Sequence, residues 1–95
     1  MKIMISQPMK GKTEKEIKEE RAELVRKLTE EGHEIVETVF EDFDCYVSPI
    51  GYLARSIECL DEADAVVFMK GWENARGCLI EYDVALKYGK FIKIL

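Results

Sequence analysis

Four short apolar runs recur along the chain, KIMIS at 2–6, HEIVETV at 33–39, DAVVFM at 64–69 and KFIKIL at 90–95, with helix-period segments between them. Apolar or β-branched runs of this length, bounded by turn residues, read as strands. The first intervening segment carries one apolar stripe, Ile17, Leu24, Val25 and Leu28, behind a Thr13/Glu16 capping box and ahead of a terminating Gly32. Leu53, Ile57 and Leu60 recur at helical spacing and predict a second helix over about 50–62. A third helix runs through Tyr88 and stops at Gly89. The stretch FEDFDCYVSP at 40–49 has no regular period and reads as a loop.

The order is therefore βαβαβαβ. Such alternation favours a parallel sheet with helices on both faces, and right-handed crossovers leave few arrangements open. DAVVFM, apolar on both faces, suits a central strand. The predicted fold is α/β, a small flavodoxin-like or Rossmann-like three-layer sandwich whose parallel sheet has the strand order 2-1-3-4. At 95 residues, the chain is read as one domain, 1–95, without an internal linker.

Charge removes one class of partner. A net charge of −5 is unsuited to a general affinity for DNA or RNA, which depends on Lys and Arg neutralising backbone phosphates. A small anionic ligand held by local donors stays open. The apolar run near the start, Ile3 to Ile5, is far shorter than a signal peptide's, and no stretch approaches membrane-spanning length, so the expected location is cytoplasmic with no membrane contact. Cys45, Cys59 and Cys78 are widely spaced without a CxxC pair and read as reduced thiols, neither a disulfide framework nor a zinc site. His33 is the only histidine, so any mechanism must work without one.

In a 2-1-3-4 sheet the winding direction reverses between the first and third strands, and ligands of open α/β sheets bind beyond the carboxyl ends of the strands at such a point. The loops that meet there are SQPMKGKT and KGWENARG. Their candidate ligand contacts are Ser6, Gln7, Pro8, Met9 and Gly11 from the first, and Gly71, Trp72, Asn74, Arg76 and Gly77 from the second. The first loop ends like a phosphate-binding P-loop, in Gly11-Lys12-Thr13, but Ser6 stands where that motif needs glycine and Pro8 has no N–H to offer. Asp64 begins the third strand and no Asp ends it to hold magnesium, so ATP hydrolysis is excluded. Trp72 could stack on a base or act as a lid on the sheet edge. Arg76 could hold a phosphate at the helix start or pair with a neighbouring Glu. Tyr46 and Tyr52 fall near a loop over the cleft.

One carboxylate stands on the wrong face. At about 100° per residue, Arg76, Asp83 and Lys87 cluster within roughly 40° and mark the solvent side of the third helix, whereas Glu81 lies roughly 120 to 160° away. Its helix neighbours are Cys78 and Ala85, residues of the size that packs against a sheet. An inward carboxylate must be paired or hydrogen-bonded. Arg76 or backbone N–H groups at the helix start could satisfy it structurally; alternatively it points into the cleft as nucleophile or base.

ADAVVFMKGWENARGCLIEYDVALKYGKFIKIL resembles the second half of the nucleoside 2-deoxyribosyltransferase superfamily: an Ala-Asp strand, a Gly-containing loop, a helix bearing Glu and Ala, and a closing Gly-Lys strand. KIMISQPMKGKT is similar to the opening of a compact branch found among phage and bacterial proteins, and the resemblance spans nearly the whole chain. It implies that Glu81 is a catalytic nucleophile attacking the anomeric carbon of a nucleoside or nucleotide, with transfer or hydrolysis through a glycosyl-enzyme as in retaining glycosidases. It implies that Ser6 and Gln7 contact sugar and base, that no metal or other cofactor takes part, and that the protein is a homo-oligomer. In the family an acidic residue on the preceding helix helps protonate the departing base; here that position holds Ser56. The family also completes its site with C-terminal residues of a neighbouring subunit, and this sequence ends directly after the fourth strand. Those departures motivate a second expectation, a nucleotide-binding module of the same fold without turnover.

Overall fold

A computed structural model describes residues 1–38 and 48–95. The expectations for Cys45 and Tyr46, and for most of the 40–49 loop, lie outside the described residues. The elements are β1 (Lys2–Ser6), α1 (Glu14–Glu30), β2 (Glu34–Val36), α2 (Pro49–Glu62), β3 (Ala65–Phe68), a 3-10 turn (Trp72–Asn74), α3 (Arg76–Lys87) and β4 (Phe91–Ile94). All four strands are parallel, in the order β2-β1-β3-β4. Met4 pairs with Val36 on one side and Val66 on the other, and Val66 with Ile92.

Side-chain alternation along each strand divides the core between the two faces of the sheet. Met4, Val66 and Phe68 face α2 and α3, where they pack with Leu60, Cys78 and Ala85. Ile3, Ile5, Ala65 and Val67 face α1 and pack with Leu28, Leu24 and Val25. One helix therefore covers one face and two cover the other, as right-handed crossovers on either side of the β1/β3 reversal require. The same alternation sends Ser6 toward α3 and Gln7 toward α1. That split decides the roles of the two residues.

Local signals hold the helix ends. Thr13 accepts a hydrogen bond from the Glu16 backbone at 3.1 Å, and the Glu16 carboxylate accepts one from the Thr13 backbone at 3.3 Å, completing the capping box. At the other end, Gly32 (φ 90°) donates to Thr29 O and His33 to Leu28 O, the paired closure that a left-handed residue after a helix permits. Replacing Thr13 with Ala removes the side-chain half of the box and is expected to lower unfolding free energy by about 1 kcal/mol, seen as a lower urea midpoint at unchanged slope.

The second strand is shorter than its sequence predicts, ending at Val36 rather than 39. The next two residues turn to side-chain bonding: Glu37 and Thr38 both meet the Arg21 guanidinium. In α2, Ser48 is the N-cap and Pro49 the first helical residue, an arrangement suited to proline's missing N–H.

Candidate functional site

The carboxyl ends of β1 and β3 carry the two loops singled out above. Met69 N–H donates to Ser6 O at 2.9 Å, continuing the ladder one step past the strands. A Cβ on Gly71, which has φ 91°, would sit 3.6 Å from Pro8 Cγ, so the loops pack against each other at that point. The first loop turns through the Lys12 N–H to Met9 O bond, with Gly11 at φ 78°.

Glu81 points inward, as its helical phase requires: it is 7% exposed, on the α3 face turned to the sheet. Its partner is neither Arg76 nor the helix start. Ser6 Oγ donates to Glu81 Oε1 at 2.9 Å, joining the last residue of β1 to the middle of α3. Burial pushes the Glu81 carboxyl up to about 7, against the opposing effects of the Ser6 hydrogen bond and the positive charge of Arg21. Near neutral pH it is therefore divided between the acid and the carboxylate. Cys78, 2% exposed, stands one turn earlier, with its thiol pushed up by burial.

Gln7 goes the other way. Its Nε2 donates to Ile17 O at 3.0 Å and to Glu20 at 3.4 Å, and its Oε1 accepts from Arg21 Nε at 2.8 Å. The amide is spent on α1, so Gln7 braces the loop from below. Arg21 is a centre that the helix's charged composition conceals. It is 4% exposed, donating also to Ile5 O at 3.3 Å, Thr38 Oγ1 at 3.2 Å and Glu37 at 3.3 Å. One signal was available: Arg21 occupies the same stripe as Ile17, Leu24 and Leu28. Thr38 is the junction, since its carbonyl accepts from Tyr52 Oη at 2.7 Å while its hydroxyl donates to Ile5 O at 3.4 Å. The Tyr52 hydroxyl also lies 3.1 Å from Met9 Sδ, and burial pushes the phenol up to about 12.

The second loop is divided. Trp72 stacks on Tyr82 at 4.9 Å and 29°, with Phe68 5.2 Å away, so its ring helps close the core under the 3-10 turn. Asn74 and Arg76 are exposed and Gly77 half-buried at the start of α3, which has no side-chain cap. Lys12 is ion-paired with Glu20 at 2.9 Å. Ser56 is 5% exposed on α2. Surface hollows of about 490 and 300 Å³ lie on the outer face of α1 and between α2 and α3 near Lys90, and neither borders Glu81. Among the described residues, Cys59 and Cys78 are free thiols, no group of three or more His, Cys, Asp or Glu is placed to hold a metal, and no helix is long and apolar enough to cross a membrane.

No curated protein and no solved structure matches the chain significantly. The model of the family described as Domain of unknown function (DUF4406) matches residues 1–94, nearly the whole sequence, and the protein therefore belongs to that family.

Proposed function

We propose that the protein cleaves or transfers the N-glycosidic bond of a nucleoside or nucleotide, with Glu81 as nucleophile. The observation that carries this reading is the desolvated Glu81 carboxyl held by Ser6 beside the carboxyl ends of β1 and β3. Ligands of open α/β sheets bind beyond that end of the strands, and a carboxylate is the group that splits a glycosidic displacement into two easier steps. One Glu81 oxygen bonds to the anomeric carbon as the carbon–nitrogen bond breaks, and the electron pair leaves on the base nitrogen, which takes a proton from water. A second base or water then attacks the anomeric carbon of the glycosyl ester and restores the carboxylate.

With Glu81 only 7% exposed, a sugar reaches it when the first loop lifts. That loop is held by the Pro8 contact with Gly71 and by the Met9 sulfur on Tyr52. The ligand class on this reading is a small nucleoside or nucleotide, with no cofactor, in a cytoplasmic homo-oligomer.

Incubation with deoxynucleosides and their monophosphates, followed by chromatography of free base, is the test. Base release is expected to be abolished in Glu81→Gln. In the unaltered protein its rate is expected to rise through a midpoint near pH 7, because the ionised form attacks and the carboxyl titrates at about 7. A rate that falls through that midpoint would instead make Glu81 a general acid.

A second reading rests on Ser56. A buried hydroxyl is a poor proton donor, and losing a positioned acid forfeits ~10² to 10⁴-fold in rate. A nucleotide-binding module without turnover would give stoichiometric calorimetric binding, no base release, and indifference to Glu81→Gln.

A further inference from the structure

Arg21 and Glu81 approach the end of β1 from opposite faces of the sheet. Arg21 Nη2 is 3.3 Å from Ile5 O, and Glu81 Oε1 is 2.9 Å from the hydroxyl of the next residue, Ser6, so covalent geometry keeps the two groups within about 11 Å. Between them lie one strand and buried side chains, with both groups more than nine-tenths covered. A guanidinium is charged at any working pH and costs free energy to bury. Its carboxylate partner among the described residues, Glu37, is 65% exposed and offsets little of that.

Resting on the reading of Glu81 as the reactive carboxylate, we infer that Arg21 is its positioning residue: it fixes the strand end that carries Ser6 and supplies the positive field in which Glu81 ionises. The fixing is visible in the bonds. The guanidinium holds Gln7 and Ile5, the residues on either side of Ser6, and Thr38 ties the same carbonyl to Tyr52 on α2. Ser6 is thus clamped from both neighbours, so its hydroxyl meets Glu81 in one geometry. The field follows from distance. At an effective dielectric of about 20, a unit charge some 10 Å away shifts an ionisation by about one pH unit, a tenfold change in the ionisation constant.

Among the described residues, the groups that face this pair are few. Glu81 meets Ser6 from β1 and Cys78 from its own helix, with Tyr52 of α2 within electrostatic range. Arg21 meets Glu37, Tyr52 and Glu81, and Glu20 only through Gln7. Burial holds the Tyr52 phenol near 12 and the Cys78 thiol above its ordinary value, so neither titrates where Glu81 does.

The test is an NMR titration, which needs no substrate. In the unaltered chain the Arg21 ¹⁵Nε–¹Hε resonance is expected to move with pH at the midpoint of the Glu81 carboxyl carbon, and the step is expected to vanish in Glu81→Gln. Arg21→Met, where folded, is expected to raise the Glu81 midpoint by about one unit. Arg21→Lys keeps the charge and is expected to rescue most of that rise. Absence of the step at that midpoint, its survival in Glu81→Gln, or an unmoved midpoint in folded Arg21→Met would each overturn the inference. The unaltered-chain measurement decides the matter even if Arg21→Met fails to fold. A step without base release removes the enzymatic reading and keeps the coupling, whereas base release abolished by Glu81→Gln with no step keeps the enzyme and removes Arg21.

Discussion

At pH 9 the Glu81→Gln protein is expected to be about 3 kcal/mol more stable than the unaltered chain, and at pH 4 the two are expected to be equal. The sign follows from the direction of the shift. Glu81 titrates at about 7 in the folded chain against an ordinary value of 4.5, so the folded state binds its proton more tightly than the unfolded state. Stability is full below about pH 4.5 and is lost as pH rises to about 7, after which both states are ionised and the loss is constant. The interval is worth about 3 kcal/mol at 1.36 kcal/mol per unit, and the carboxyl is buried enough that solvent screening removes little. Gln is neutral throughout and its amide oxygen can still accept from Ser6. For a domain of this size the difference corresponds to a Tm gap above about 10 °C at pH 9. The same substitution removes the nucleophile of the proposed reaction, so stability gained and activity lost at one position would mark a site held away from its stability optimum. Urea unfolding of both proteins across pH 4 to 9 measures it.

Arg21→Met is expected to go the other way, lowering unfolding free energy by about 3 kcal/mol at neutral pH. Three terms compete. The exposed ion pair with Glu37 contributes a few tenths at most. Relief of the buried charge favours Met. Against that relief, and alongside the small loss of the ion pair, Gln7 Oε1 loses its 2.8 Å donor and, among the described residues, Ile5 O is left with the 3.4 Å bond from Thr38; an orphaned buried acceptor costs about 1 to 3 kcal/mol, and the weakened one adds to it. The lost hydrogen bonds outweigh the relieved charge because the network is buried and directional. A urea midpoint unchanged within error would mean that Gln7 repacks freely and that Arg21 clamps nothing.

Strand order, helix placement and the inward phase of Glu81 were all legible in the sequence, because each is a matter of period. KIMIS matches β1 residue for residue, and the Thr13/Glu16 box sits where the capping pattern places it. What periodicity does not encode is pairing at a distance. Ser6 and Glu81 are 75 residues apart, and only the folded sheet brings the hydroxyl to the carboxyl. The family resemblance places Ser6 and Gln7 together as contacts for sugar and base, whereas in the fold adjacent residues at a strand end face opposite sides, and the Gln7 amide is bonded to α1. Arg21 lay hidden among the charges of α1, although its place on the apolar stripe was the available clue. Trp72 shows the limit of reading loops by composition: stacking on Tyr82 is a contact between a turn and a helix, invisible in either alone.

Both the proposed chemistry and the coupling to Arg21 require the Glu81 carboxyl to be desolvated at the carboxyl ends of the central strands. A ¹³C-detected titration of that carboxyl, assigned by comparison with Glu81→Gln, measures this directly. A midpoint near 7 is expected. A midpoint at the ordinary value of 4.5 would contradict this, because a carboxyl that ionises as freely as in water is not buried beside Ser6.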